Sequence, residues 1–237
     1  DAGSDRPVYL VVIDNLRMDQ WRMIEPMLLD RFRVVRTEPY FSMLPTATQY
    51  ARNALFAGLT PAEIARVYPE YWVDEDQEGS KNKYEAELFD QLLKRLDFKG
   101  KSGYHKVTNL AAGRKLVDQF HRTKENDITA VVYNFVDMLS HARTEMDVLK
   151  ELAEDDAAYR SLTLSWFEHS ALRELFDQMA EFNARVVITT DHGTVRVSNP
   201  IQVKGDRKTN SNLRYKVGRN LGYKASDVFE VRDPQAF

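Results

Sequence analysis

An α/β fold, with a mostly parallel central sheet and helices on both faces, is the architecture this sequence predicts. Three observations carry that reading. Residues 8–14, 127–137 and 185–191 are β-branched, apolar runs with the composition of strands buried on both faces. Stretches with apolar side chains at helical spacing lie between them, the alternation expected of parallel strands joined by crossover helices. Each run also closes on an acid, Asp14, Asp137 or Asp191, and open α/β sheets bind ligands at the carboxyl ends of their strands.

Taken in order, residues 1–6 read as a linker or cloning remnant and 7–237 as one domain. The first strand, 8–14, leads into an amphipathic segment with Trp21, Ile24 and Leu28 at helical spacing, interrupted at Pro26. Residues 32–37 read as a second strand ending before Pro39. A loop through Pro45, Thr46 and Thr48 feeds a short helix over 49–57 that Gly58 caps, and Thr60 with Pro61 starts the next helix. Residues 71–83 are acidic, polar and unpatterned, as an exposed loop is. Tyr84, Leu88, Leu92 and Leu96 space a helix over 83–96.

A strand over 104–108 and a helix over 112–121 precede the long run at 127–137, and 145–156 is charged and helical. Residues 162–182 read as one long amphipathic helix carrying Leu164, Phe167, Leu172, Leu175 and Met179. One more strand is expected over 194–198, while the basic, polar stretch 199–222 carries no assignable pattern. There is no internal repeat.

The totals bound the function. A chain of 237 residues suffices for one large α/β domain or two small ones. A net charge of −3 argues against a broad basic face for duplex nucleic acid but allows a local basic pocket. With no cysteine there is neither a disulfide framework nor a thiolate zinc site, so any metal must be held by Asp, His, Glu or a hydroxyl oxygen. No apolar run reaches the ~18 residues of a membrane helix, and no signal segment opens the chain, so a cytoplasmic location without membrane contact is the default expectation.

Acids and imidazoles concentrate where the runs end. Asp191 is followed by His192, and Asp137 by His141 four residues on, which one helical turn brings to the same side. Carboxylates converging there repel one another unless a cation sits between them. Aspartate oxygen with histidine nitrogen suits Zn²⁺ with an open position, with Mn²⁺ second. Two such ions about 4 Å apart clamp the attacking and leaving oxygens of an in-line displacement, which implies phosphoryl transfer to water.

Such a site needs a nucleophile, and Thr46 and Thr48 are the candidates. Thr48, directly before a helix, is the better placed, with simple N-capping as its alternative role. Arg52, one turn later, reads either as a fork for a substrate phosphate or as half of an ion pair. Asn15 either orients substrate or turns the chain. His169 is a further ligand or a helix-face residue beside Trp166, and His105 and His121 read as surface residues. Lys204, Arg207, Lys208, Arg214, Lys216 and Arg219 form either a solvated face or a rim for a polyanion such as an oligonucleotide.

In chain order, Asp14, the Pro45 to Thr48 stretch, Asp137 with His141, and Thr190 to Gly193 resemble the alkaline phosphatase superfamily, in particular its PglZ branch. Pro45, Thr46 and Thr48, followed by Gly58, Leu59, Thr60 and Pro61, are similar to the nucleophile region of nucleotide pyrophosphatase/phosphodiesterases, on which Thr48 is the nucleophile. The nearest likeness is to the C-terminal effector domain of PorX-type response regulators. That resemblance implies a first zinc held by Asp14, Thr48, Asp191 and His192, and a second held by Asp137 and His141. The family completes the second site with a later histidine in a His-Gly-Gly type motif. No histidine follows His192, so a C-terminally truncated domain with an incomplete second site is expected.

The resemblance further implies hydrolysis of nucleotide or oligonucleotide phosphodiesters, a receiver domain in cis, and a homodimer controlled by phosphorylation. A phosphomutase or sulfatase is the rival within the enzymes. A non-catalytic signalling module that keeps the fold and metal site is the rival outside them.

Overall fold

A computed structural model describes residues 6–74, 77, 79–210 and 212–232. The expected linker, Arg6 apart, lies outside the described residues, as does the chain beyond residue 232. The order of elements is β1 (Val8–Ile13), α1 (Met18–Ile24), α2 (Thr48–Ala57), α3 (Pro61–Val67), α4 (Glu85–Arg95), β2 (Ser102–Val107), α5 (Leu110–Asp118), β3 (Ile128–Tyr133), α6 (Phe135–Glu145), α7 (Asp147–Leu152), α8 (Asp156–Glu168), α9 (Ala171–Glu181) and β4 (Arg185–Thr189). Two compact units result: one runs up to Phe41 and adds Lys99–Thr194, the other joins Ser42–Phe98 to the chain from Val195 onward.

The first unit is built on a four-stranded, all-parallel sheet in the order β2-β3-β1-β4, with helices around it. The strand period of two sends Tyr9, Val11 and Ile13 to one face, where Val131 and Tyr133 of β3 join them in register. Leu116 of α5, Phe167 of α8, and Leu172, Leu175, Phe176 and Met179 of α9 close over that face. Each such side chain contributes about 1.5–3 kcal/mol when fully buried. Helices α1 and α8 are joined by polar contacts: Gln20 Nε2 donates to Thr163 Oγ1 at 2.8 Å, and Arg17 bridges Asp19 and Asp156.

Several expectations need correction. Residues 32–37 are not a strand: Phe32 packs edge-on to Phe176 at 6.2 Å, and Arg33 to Thr37 are exposed, with Thr37 Oγ1 donating to Glu25 Oε1 at 3.3 Å and no ladder among the described residues. Residues 194–198 form no strand either, with Val195 and Val197 72% or more exposed. β-branched composition describes a fit to a half-buried pleated surface, and among the described residues neither run has a paired strand to supply one. The long helix over 162–182 is two helices, α8 and α9, because Ser170 acts as an N-cap, its hydroxyl accepting from Arg173 N at 3.3 Å. The 127–137 run stops at Tyr133, so Asp137 lies in the first turn of α6 and not at a strand end.

In the second unit α2 packs on α4, with Phe56 edge-on to Phe89 at 5.8 Å. Gly58 ends α2 at φ 58°, the left-handed conformation that a glycine C′ position adopts at no steric cost. Thr60 caps α3 with Pro61 at its first position, as expected, and beyond that expectation Glu63 completes a capping box. In the C-terminal segment an antiparallel bridge joins Lys204 to Gly222. Among the described residues no helix is long and apolar enough to cross a membrane.

Candidate metal centre

Strand register assembles the centre. Val12 of β1 pairs with Thr189 of β4, so two residues further along each strand Asp14 and Asp191 emerge side by side on the same face. His192 follows immediately. All three are buried, at 1%, 2% and 2% exposure. His192 Nε2 stands 3.6 Å from Asp14 Oδ1 and 3.8 Å from Asp191 Oδ2, and one ligand atom from each residue lies within 4.8 Å of the others.

Two buried carboxylates and an imidazole at these distances suit a divalent cation. The donors are oxygen and nitrogen, and three protein ligands are the usual complement of a zinc site that keeps a position open. A cation there also offsets the repulsion between the acids.

The chain around the ligands is tightly held. Thr190 Oγ1 accepts from Leu16 N at 3.0 Å and donates to His192 O at 2.7 Å, lacing the turn after β4 to the turn after β1. Asp191 Oδ1 accepts from its neighbour His192 N at 2.9 Å and from Asn15 N at 3.2 Å. Tyr40 donates its hydroxyl to Thr190 O. Desolvation, with the Asp191 carboxylate nearby, raises the Tyr40 pKa above its ordinary value, which keeps it a donor. Nothing in the sequence marks Tyr40 or the Thr190 hydroxyl. A lone tyrosine has no signature, and the threonine is visible only as a neighbour of Asp191.

Asp137 reaches this centre through Asn15. The asparagine is fully buried at φ 63°, and its Nδ2 donates to Asp137 Oδ1 at 3.1 Å. Of the two roles weighed for Asn15, turning the chain is therefore realised, and a tether is added. His141 Nε2 is 3.5 Å from Asp137 Oδ2 on the same face of α6, as the i,i+4 spacing predicts, although its side chain is 69% exposed. Among the described residues, the group whose donor atoms converge is Asp14, Asp191 and His192, and Asp137 and His141 form a separate pair.

Thr48 and Arg52 belong to the second unit. Thr48 is the first residue of α2, and Ala47 occupies the N-cap position, so capping is not the role of the Thr48 side chain. Asn82 Nδ2 donates to Thr48 O at 2.9 Å and to Asn53 Oδ1 at 3.2 Å, bracing that first turn. Arg52 is buried against Glu85, the ion-pair alternative. Arg214 of the basic stretch donates to Thr46 O.

The remaining histidines divide. His169 is exposed at the end of α8 and His121 is exposed, whereas His105 is half-buried on β2, not a surface residue, and burial lowers its pKa.

A search of curated proteins finds no match to this chain. A family model described as the BREX system PglZ alkaline phosphatase-like domain matches residues 1–236. With a parallel sheet that brings Asp14, Asp191 and His192 together and a family match over nearly its whole length, this chain belongs to the PglZ family of alkaline phosphatase-like domains.

Proposed function

We propose that this chain is a zinc-dependent phosphoesterase domain acting on phosphodiesters of the nucleotide or oligonucleotide type. The observation that carries the reading is the buried Asp14, Asp191 and His192 group at the carboxyl ends of two adjacent parallel strands, in a chain of an alkaline phosphatase-like family. In this reading Asp14, Asp191 and His192 hold one zinc together with the Thr48 hydroxyl, and Asp137 with His141 holds a second, weaker one. When bound, zinc supplies Lewis acidity and stabilises negative charge at the reacting phosphate.

The chain supplies the rest. Thr48 Oγ attacks phosphorus in line, forming an O–P bond as the ester oxygen departs with its electron pair and takes up a proton. Water then attacks the same phosphorus, breaks the Thr48 O–P bond and restores the hydroxyl. Asn15 fixes the spacing between Asp137 and the other acids. The basic residues Lys204, Arg207, Lys208, Arg214, Lys216 and Arg219 form the rim that receives a polyanion.

The likeness to PorX-type effector domains supports a role as the output domain of a two-component response regulator, switched by a receiver domain in cis through dimerisation.

The test is hydrolysis of bis-p-nitrophenyl phosphate with added Zn²⁺ by wild type, Thr48→Ala and Asp191→Ala. Turnover in wild type that falls at least about 100-fold in both variants is expected. Turnover that survives both substitutions overturns the mechanism. Zinc binding without turnover returns the chain to the signalling-module reading.

A further inference from the structure

The second unit carries a half-open cleft of about 600 Å³, within the usual size of a small-molecule site, that the metal chemistry leaves unused. Its wall starts at Gln49 and Tyr50, directly after Thr48 in α2, and continues through Trp72 and Asp74 to Asp206, Lys208 and Arg219.

Two aromatic rings define one side. Tyr50 and Trp72 have centroids 5.9 Å apart and planes inclined at 57°. Tyr215 stands edge-on to Tyr50 at 5.5 Å and supports it. Trp72 Nε1 donates to Asp74 Oδ1 at 3.0 Å, which fixes the indole plane, and Gln49 Nε2 donates to Val73 O at 3.0 Å, which pins this stretch to the start of α2.

The other side carries charge on a closed loop. The bridge between Lys204 and Gly222 brings its ends together. Within it Asp206 Oδ1 accepts from Lys208 N at 2.9 Å, and Asn210 Oδ1 accepts from Val217 N at 3.0 Å. Lys208 and Arg219 are thereby held at the cleft with their side chains exposed to solvent.

An apolar ligand has no use for two cations, and inorganic phosphate has none for an oriented indole. A flat heteroaromatic ring attached to a phosphate uses both. We propose that this cleft is a nucleobase subsite. The base stacks on Trp72 and Tyr50, its phosphate meets Lys208 and Arg219, and the Asp74 and Asp206 carboxylates accept hydrogen bonds from an exocyclic amine or ribose hydroxyls. The inference rests on the phosphoesterase reading and narrows its substrate class to nucleoside phosphates.

The test is calorimetric titration of the full chain with adenosine 5′-monophosphate, ribose 5-phosphate and a 5′-phosphorylated tetra-adenylate, run beside the bis-p-nitrophenyl phosphate assay. Adenosine monophosphate is expected to bind about 10-fold or more tighter than ribose 5-phosphate, a preference that Trp72→Leu removes and Trp72→Phe largely keeps. The exposed double variant Lys208→Ala/Arg219→Ala is expected to weaken both ligands about equally, with unchanged circular dichroism. Tighter binding of the tetra-adenylate assigns the base to an oligonucleotide end, and equal binding assigns it to a mononucleotide. Equal affinity for adenosine monophosphate and ribose 5-phosphate overturns the subsite even if bis-p-nitrophenyl phosphate is hydrolysed. Selective nucleotide binding without any turnover sustains the subsite and overturns only the catalytic reading.

Discussion

Asn15 and Asp137 are joined by a 3.1 Å hydrogen bond from Nδ2 to Oδ1, while the Asn15 backbone N–H donates to Asp191 Oδ1 at 3.2 Å. One buried residue therefore spaces the acid of α6 from the acid that follows β4. Asn15→Gly keeps the backbone at φ 63° without strain and deletes only the tether. Competitive zinc titration is expected to show binding weakened about 10-fold or more, the usual effect of losing a residue that orients ligands. Unchanged affinity would mean that Asp137 is held by other contacts.

Asp191→Asn removes one of two buried carboxylates that face a common imidazole. In the presence of a chelator the variant is expected to melt at or above the wild-type temperature, because like-charge repulsion is relieved. Zinc is expected to raise the melting temperature of wild type by mass action and to leave Asp191→Asn unmoved. Scanning fluorimetry with and without zinc reads both, and an equal zinc-dependent rise in the variant would place the ion elsewhere.

The join between α1 and α8 responds to acid. Hydrogen bonds from Arg17 hold the carboxyls of Asp19 and Asp156 below the ordinary value of 3.8, with Arg160 adding to the effect at Asp19. The native state therefore binds fewer protons than the unfolded chain. Its stability is complete above pH 3.8 and falls as pH drops through the lowered native values. With 37% and 42% of these side chains exposed, salt screens the effect. Urea midpoints between about pH 2 and 5 are expected to fall less steeply in Asp19→Asn than in wild type, and the difference to shrink at 1 M NaCl.

Gly113 marks a close approach of α5 to the sheet. A β-carbon there would lie 2.5 Å from Tyr133 Oη and 3.2 Å from Ala171 Cβ. Burial pushes the Tyr133 hydroxyl up to about 12, with the Glu174 carboxylate assisting, so the phenol stays neutral in its crowded position. Gly113→Ala is expected to lower unfolding free energy by about 1–3 kcal/mol through overpacking, despite the better helix propensity of alanine. Chemical denaturation checks this.

The sheet was legible because β-branched runs such as Val8–Ile13 are long enough to satisfy no other pattern. Three site residues were legible for the same reason, since Asp14, Asp191 and His192 directly follow such runs. The exposed stretch from Arg33 to Thr37 shares the composition of a strand, and only the absence of a neighbouring ladder distinguishes it. Ser170 breaks a helix that periodicity runs straight through, because capping depends on one hydroxyl and not on spacing. Asp137 looked like a strand tip because the apolar run continues unbroken into α6. Long-range contacts such as Tyr40 with Thr190 are set by tertiary folding and leave no local trace.

The pairing of Val12 with Thr189 also sets a biosynthetic order. During translation Asp14 leaves the ribosome before Asp191 and waits, without its partner acid, until the last strand of the first unit has been made. A one-residue slip of the last strand would turn its tip to the opposite side of the sheet. Only the correctly paired strands bring the two acids and His192 together, and an unfinished or mispaired chain leaves Asp14 without its partner acid.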